Sequence, residues 1–318
     1  MRGPAILLMG PTGAGKTELA ASLVQQFPLE IVSVDAAMVF RGMDIGTAKP
    51  PRELLARAPH HLIDLIDPVE SYSAARFLAD AETAMRAIES RGRTPLLVGG
   101  TMLYFRAFQS GLARLPPADP VIRERLEARA SAVGWPALHA ELARLDPASA
   151  ARIRPGDRQR IQRALEVIER TGRPMSAQLA EDLRGATRAG DLTVVLAPAD
   201  RKVLFECIGL RFEAMLRQGL VDEVAGLRSR GDLHAGLPSL RLIGYRQVWE
   251  HLEGATTLGE ATERSVAATR QLARRQLTWL RAEPGAGWFD AFDASSPERI
   301  AARIAEWFHE RGIAVRRC

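Results

Sequence analysis

Short apolar runs alternate with amphipathic segments over the first hundred residues. The apolar runs have the length of buried strands, whereas the amphipathic segments repeat apolar residues every three or four positions and predict helices. Strands are expected at 5–9, 30–35 and 95–98, a strand or a short extended piece at 60–66, and a long helix at 73–91. Strands separated by helices predict a parallel sheet with helices on both faces, so the fold class is α/β.

The pattern changes near residue 115. A proline-rich run at 115–120 has the character of a linker, and helical segments rich in Ala, Arg and Glu continue from there without a strand. A strand pattern returns at 192–198, and further helices follow it. We therefore predict two domains. Residues 1–114 and 190–318 form the α/β core with its C-terminal helices, and residues 115–189 form an all-helical insert.

Composition and charge change this prediction little, but they exclude several classes of protein. The 318 residues are 47% apolar and 25% charged, which is typical of a soluble globular chain, and the net charge of +5 is mild. No apolar run approaches the ~20 residues that span a bilayer, and the first strand begins too early to leave room for a signal peptide. Cys207 and Cys318 are too few for a disulfide framework or a zinc site. We expect a cytoplasmic protein that does not bind membranes.

The first predicted strand runs into the phosphate-binding motif G-x-x-x-x-G-K-T, and a predicted helix follows. Its residues are Gly10, Pro11, Thr12, Gly13, Ala14, Gly15, Lys16 and Thr17. The glycines let backbone N–H groups turn toward an anion, the helix adds its positive end, and Lys16 adds a full charge. Thr17 can place its hydroxyl on a Mg²⁺ ion that also touches the phosphates. The motif predicts a P-loop NTPase-like sheet that binds a nucleotide or a diphosphate.

Two further strands end on polar or small residues at the same predicted edge of the sheet. Asp35 ends the second strand, where we interpret it as a catalytic base or a metal contact, with an N-cap or turn carboxylate as the alternative. The run Gly99-Gly100-Thr101 follows the strand at 95–98, where P-loop ATPases usually place an acidic residue that holds Mg²⁺. The absence of an acidic residue at this strand end makes ATP hydrolysis a weaker prediction, but it does not exclude it.

Basic residues are concentrated in the predicted insert and in the helix near the C-terminus. They include Arg123, Arg125 and Arg129 at the start of the insert, Arg158, Arg160 and Arg163 farther along it, and Arg270, Arg274 and Arg281 on one face of the later helix. A solvated helix face is the alternative for any one of them. Together they suggest a protein that holds a nucleic-acid backbone.

Motifs along nearly the whole chain resemble those of the bacterial tRNA dimethylallyltransferases, also called tRNA isopentenyltransferases. Besides the phosphate loop, the likeness rests on VSVD at 32–35, RGMDIGTAKP at 41–50, HHLID at 60–64, VGGT at 98–101, QRIQRALE at 159–166, QGLVDEV at 218–224, IGYRQ at 243–247 and RRQLTWLR at 274–281. The segment 41–50 is highly specific for the family.

The resemblance implies an activity. The family transfers a dimethylallyl group from dimethylallyl diphosphate to the exocyclic N6 amine of the adenosine at position 37 of tRNA, next to the anticodon, and releases diphosphate. By this resemblance Asp35 is the general base, Thr101 lies near the target base, and Lys16 stabilises the leaving diphosphate together with Mg²⁺ held by Thr17. These residues are the expected catalytic and metal-binding groups.

The resemblance also implies which residues contact the tRNA anticodon stem-loop. They are Asp35, Ala36, Ala37, Met38, Thr101, Arg123, Gln159, Arg160, Ile161, Gln162, Arg163, Arg241, Leu242, Ile243, Gly244, Tyr245 and Arg246. The insert would clasp the stem-loop, and the adenosine would leave its stack to reach Asp35. Ala36 and Phe40 stand where the family usually has serine and tyrosine, so a contact made by those hydroxyls would be lost or replaced. A monomer is expected.

Three other functions remain open from the sequence. A small-molecule kinase would use ATP at the same loop, but it would need only a compact lid rather than an insert of this length. A nucleotide-gated RNA-binding protein would turn over slowly and would not need Asp35. A prenyltransferase that acts on free adenine nucleotides would have little use for the insert or for the basic C-terminal helix.

Overall fold

The computed structural model describes residues 3–182 and 190–313. The chain forms two compact units, which we call the core unit (Met1–Arg106 with Ala189–Cys318) and the insert unit (Ala107–Arg188). The insert unit begins at Ala107, before the proline-rich run at which the sequence places its start. The expected end of the insert at residue 189 and the second cysteine, Cys318, lie outside the described residues.

The core unit is built on one six-stranded sheet. Its strands are β1 (Ile6–Met9), β2 (Leu29–Val34), β3 (His60–His61), β4 (Thr94–Gly99), β5 (Leu192–Ala197) and β6 (Gly287–Asp290). They lie in the order β3-β2-β4-β1-β5-β6, and every neighbouring pair is parallel. The predicted fold class, a P-loop NTPase-like parallel sheet flanked by helices, is confirmed. The carboxyl ends of β1, β2 and β4 therefore meet at one edge.

The helices connect these strands and form the insert. In chain order they are α1 (Lys16–Gln26), α2 (Arg52–Arg57), α3 (Ala74–Ser90), α4 (Met102–Ser110), α5 (Pro120–Val133), α6 (Trp135–Leu145), α7 (Pro147–Ala150), α8 (Arg158–Thr171), α9 (Met175–Asp182), α10 (Arg201–Arg217), α11 (Leu220–Ser229), α12 (Tyr245–Leu252), α13 (Leu258–Leu280) and α14 (Ser296–Glu310). None of the helices in the described residues is long and apolar enough to cross a bilayer.

Two elements at the C-terminal end were not expected from the sequence. Strand β6 is only four residues long, and it extends the sheet beyond β5. Helix α14 packs Trp307 and Phe308 into the apolar cluster that also holds Ile6 of β1 and Leu23 of α1. Because this helix covers one face of the sheet, it stabilises the strand from which the phosphate loop begins.

A second apolar cluster of the core unit supports the loop that follows β2. Phe40 and Met43 pack there with Leu220 and Tyr245. Phe40 is buried, so a tyrosine hydroxyl expected here from the resemblance would lie in the interior of the core unit rather than on an exposed surface.

Candidate active site

The phosphate loop closes over the carboxyl edge of the sheet. Gly13 and Gly15 have φ angles of 83° and 73°, which side-chain-bearing residues rarely adopt, and α1 begins directly after them. The N–H of Gly10 donates to the carbonyl of Gly99 at 3.3 Å, which ties the start of the loop to the end of β4. The loop and the end of β4 thus form one continuous surface.

Behind this surface lies a cavity of about 920 Å³ within the core unit. Its walls come from the phosphate loop, the end of β2, the loop after β2 and helices α10 and α13. Apolar side chains such as Met38, Ile45 and Met215 line it together with charged groups. The cavity is large enough for a diphosphate with a small apolar group attached, which is the size range of small-ligand sites.

Two cations, Lys16 and Arg211, line the cavity at the end formed by the phosphate loop, which we call its phosphate end. Burial lowers the pKa of the Lys16 ammonium to about 8, although the charge of Asp35 opposes this shift, and its Nζ donates to the carbonyl of Pro11 at 2.7 Å. Burial also lowers the pKa of the Arg211 guanidinium. Within the described ranges Arg211 donates no hydrogen bond to a protein atom. A diphosphate would therefore find two poorly solvated cations, and Arg211 would have all its donors available.

Asp35 and Thr101 lie side by side at the ends of β2 and β4. Oδ1 of Asp35 accepts from the N–H groups of Ala37 and Met38 at 2.8 Å and 3.4 Å. The hydroxyl oxygen of Thr101 accepts from the N–H of Ala36 at 3.1 Å. These contacts fix the turn after β2, and they engage only one carboxylate oxygen of Asp35.

Three other carboxylates line the same cavity, namely those of Glu18, Asp44 and Asp64. The Lys49 ammonium, whose side chain is only 4% exposed, binds both Asp44 and Asp64. Glu18 lies in the first turn of α1 and is itself exposed. Asp35 is therefore the partly buried carboxylate of the cavity that is not held by Lys49.

The loop after β2 is held in place by a carboxylate that the sequence did not reveal. The Glu223 side chain accepts from the N–H groups of Asp44 and Ile45 at 2.8 Å each and from that of Gly46 at 3.2 Å. The Tyr245 hydroxyl donates to the same carboxylate at 2.6 Å. Burial and the negative charge of Glu223 raise the pKa of Tyr245 above its ordinary value. Glu223 thus fixes the loop that forms one wall of the cavity.

Substituting Gly46 with alanine is expected to lower the free energy of unfolding by about 1–3 kcal/mol through overpacking. The new Cβ would lie 2.5 Å from Cε2 of Tyr245 and 2.9 Å from Cδ1 of Leu220, and both side chains are fully buried. Urea denaturation measures the change. The control is Gly226→Ala in α11, where an added Cβ meets no atom within 4 Å and should stabilise the helix by about 0.5–1 kcal/mol. Equal stabilities of the two variants would contradict this packing.

The residues of the insert unit that the resemblance implies as tRNA contacts fall into two groups: some bond or pack within the unit, and others are exposed. Arg123 and Arg163 donate to the fully buried carboxylate of Glu166, and Gln162 donates to the carbonyl of Arg123. Ile161 lies in the apolar core of the insert unit. Two other members of this set, Gln159 and Arg160, are exposed at the start of α8.

The segment 241–246 in the core unit divides in the same way. Arg241 and Arg246 are exposed, whereas Gly244 and Tyr245 are buried. Leu242 and Ile243 are half-buried. The family motif therefore marks a segment in which only some side chains face solvent.

The fold and the site together define a class of protein. A glycine-rich loop joins β1 to α1 at the carboxyl edge of a parallel sheet, and Lys16 and Arg211 line the cavity beside it. This is the arrangement of the P-loop proteins, which bind chains of phosphate groups.

Comparisons with known proteins narrow that class. The IPP transferase family model matches residues 38–283. The chain is 55% identical to a tRNA dimethylallyltransferase of Bordetella petrii over 95% of its own length and 97% of the relative's. It is 58% identical to one of Thiobacillus denitrificans, with 95% and 96% of the two chains covered. The chain therefore belongs to the IPP transferase family of tRNA-modifying prenyltransferases, which confirms the resemblance found in its motifs.

Solved structures agree with this assignment. A tRNA isopentenylpyrophosphate transferase of Bacillus halodurans is 36% identical, with a TM-score of 0.71 and coverage of 97% and 98% of the two chains. A eukaryotic dimethylallyltransferase acting on tRNA is 24% identical, with a TM-score of 0.81 and coverage of 99% of this chain and 81% of the other. The second similarity concerns the fold.

Proposed function

We propose that this protein transfers a dimethylallyl group from dimethylallyl diphosphate to N6 of the adenosine at position 37 of tRNA. The bond between the allylic carbon and the diphosphate oxygen breaks, and diphosphate leaves with the electron pair. A new bond joins that carbon to N6, which gives up one proton. The products are N6-isopentenyladenosine and diphosphate. One observation carries the proposal: a single cavity joins a cationic phosphate end to Asp35.

The leaving diphosphate is the first chemical problem. Negative charge grows on the departing oxygen as the carbon–oxygen bond breaks, and fixed cations in a poorly solvated site stabilise that charge strongly. Lys16 would exchange its bond to the Pro11 carbonyl for one to a phosphate oxygen. The Arg211 guanidinium and the N–H groups of the loop from Gly13 to Thr17 supply further donors. We assign these groups to the diphosphate, so the loop holds a prenyl donor rather than ATP.

The donor set at the loop fits a divalent metal ion that is held mainly by the substrate. Among residues 3–182 and 190–313, no group of three or more His, Cys, Asp or Glu side chains could hold a metal ion. Mg²⁺ commonly keeps several waters and binds through one or two protein groups plus phosphate oxygens. We therefore propose Thr17 as its protein ligand. Mg²⁺ bound there would neutralise part of the charge of the diphosphate.

The weak nucleophile is the second problem. The lone pair of the adenine amine is delocalised into the ring, so removing a proton from N6 as the new bond forms would lower the barrier. Asp35 is the proposed base, because Lys49 already binds Asp44 and Asp64. The backbone N–H groups of Ala37 and Met38 orient its carboxylate. Thr101 fixes the same turn and is proposed to lie near the target base.

The tRNA contacts are assigned to exposed members of the family segments. Gln159 and Arg160 in the insert unit, and Arg241 and Arg246 in the core unit, can reach a phosphate backbone. The buried members, such as Ile161 and Tyr245, are proposed to hold these segments in shape. We also propose that the protein acts as a monomer and meets its tRNA substrate in the cytoplasm.

The test is transfer of label from dimethylallyl diphosphate to unmodified tRNA by the purified protein. We expect label in the anticodon loop, recovered as N6-isopentenyladenosine after nuclease digestion and mass spectrometry. ATP hydrolysis is followed in parallel, and none above background is expected. ATP-dependent phosphorylation of a small molecule without any transfer to tRNA would instead identify a kinase.

A further inference from the structure

A glutamine on helix α13 joins the two halves of the proposed site. Gln276 is 7% exposed and lies four residues before the end of this helix. Its Oε1 accepts from the N–H of Thr12 in the phosphate loop at 2.9 Å. Its Nε2 donates to the carbonyl of Gly100, directly after β4, at 2.8 Å. One buried side chain thus bonds to the loop that would hold the leaving group and to the turn that carries Thr101.

The contact to the turn needs a glycine. A Cβ on Gly100 would lie 2.5 Å from Nε2 of Gln276 and 3.2 Å from the carbonyl oxygen of Gly10. Any side chain at position 100 would push the amide of Gln276 away from the turn. The close approach of α13 therefore explains why position 100 is a glycine.

The bonds continue from this turn to Asp35. The N–H of Thr101 donates to the carbonyl of Val34 at 3.2 Å, and the hydroxyl oxygen of Thr101 accepts from the N–H of Ala36 at 3.1 Å. Val34 and Ala36 are the residues directly before and after Asp35. A path therefore runs from the phosphate loop to Gln276 and on to Gly100 through hydrogen bonds, along the chain to Thr101, and through two further hydrogen bonds to the turn that holds the proposed base.

We propose that Gln276 is a positioning residue that sets the placement of the diphosphate relative to Asp35 and Thr101. The proposal rests on the proposed function, in which these two halves hold the leaving group and the nucleophile. Glutamine suits the task because its amide carries an acceptor and a donor side by side. An ionised glutamate has no donor and would add negative charge beside the diphosphate, whereas lysine and arginine have no acceptor.

The reaction geometry makes such a residue important. Bond formation needs the allylic carbon and N6 in line at close range, and a misplacement of about 1 Å by a change remote from the chemistry can cost about 10²-fold in rate. Gln276→Met keeps the length of the side chain but removes both hydrogen bonds. We expect its kcat to fall by about 10²-fold while the KM values for both substrates change little. Gln276→Glu should in addition raise the KM for dimethylallyl diphosphate.

The control is Gln271→Met on the exposed face of the same helix, which should retain the wild-type kcat. Thermal unfolding of all three variants separates positioning from a loss of folded protein. A Gln276→Met enzyme with wild-type kcat would overturn the proposal. A loss of kcat that follows only the loss of folded protein would overturn it as well.

A second readout does not depend on catalysis. Backbone hydrogen exchange in Gln276→Met is expected to speed up at the N–H of Thr12 and also at that of Ala36, which Gln276 reaches only through the turn. Faster exchange at Thr12 alone would overturn the link between the two halves. If wild-type protein transfers no prenyl group, the proposed function fails, whereas this exchange experiment still decides whether Gln276 connects the two segments.

Discussion

Replacing Asp35 with asparagine is expected to lower kcat for prenyl transfer by about 10²–10⁴-fold, the range that general base catalysis contributes. The amide has nearly the shape of the carboxylate, and its oxygen can still accept from the N–H of Ala37. It does not accept the proton that N6 gives up. The binding of tRNA and of dimethylallyl diphosphate should therefore remain close to wild type, and the loss should appear in single-turnover transfer.

The matched control for this variant is Asp64→Asn. Asp64 lines the same cavity, but its carboxylate is bound by the Lys49 ammonium. We expect a much smaller loss of kcat from this change, because Asp64 is not assigned to proton transfer. If both variants lose the same activity, the cavity needs its negative charge in general and Asp35 is not the base.

The second large effect is expected at the phosphate end. Lys16→Met should lower kcat by about 10²–10³-fold, as does the removal of one donor that stabilises charge in the transition state. The loss should exceed any change in KM, because the charge on the diphosphate oxygen grows as the bond breaks. Arg211→Met should act in the same direction. Steady-state kinetics with dimethylallyl diphosphate as the varied substrate measures kcat and KM for both variants.

An exposed lysine provides the control for these cation variants. Lys202 lies in the first turn of α10, the helix that carries Arg211, and Lys202→Met should leave both kinetic constants near wild type. A Lys16→Met enzyme with raised KM and unchanged kcat would show that Lys16 binds the substrate and the transition state equally well. That result would remove its proposed role in leaving-group departure.

The sequence predicted the parts of the site that depend on local geometry. The spacing of Gly10, Gly15 and Lys16 encodes a loop conformation, and the position of Asp35 after an apolar run places it at a strand end. Because parallel strands end at the same edge, the neighbourhood of Asp35, Thr101 and the loop followed from topology alone. These inferences needed no knowledge of how helices pack.

The side chains that the sequence analysis did not single out reach the cavity or its loops across long sequence distances. Arg211 lies outside the matching segments, whereas Gln276 lies within the one at 274–281, and only the packing of α10 and α13 brings these two side chains to the loop. Glu223 was part of a matching segment, yet nothing local marks it as the carboxylate that binds the N–H groups of residues 44–46. Strand β6 was missed because the four residues Gly287–Asp290 carry no periodic pattern.

The proposed reaction is tested most directly with two tRNAs that differ at one base. One carries adenosine at position 37 and the other guanosine, and both are offered to the wild-type protein with labelled dimethylallyl diphosphate. We expect label only in the first tRNA, because the second has no exocyclic N6 amine at that position. Equal labelling of both tRNAs, or of neither, would show that the cavity does not bring dimethylallyl diphosphate to this adenosine.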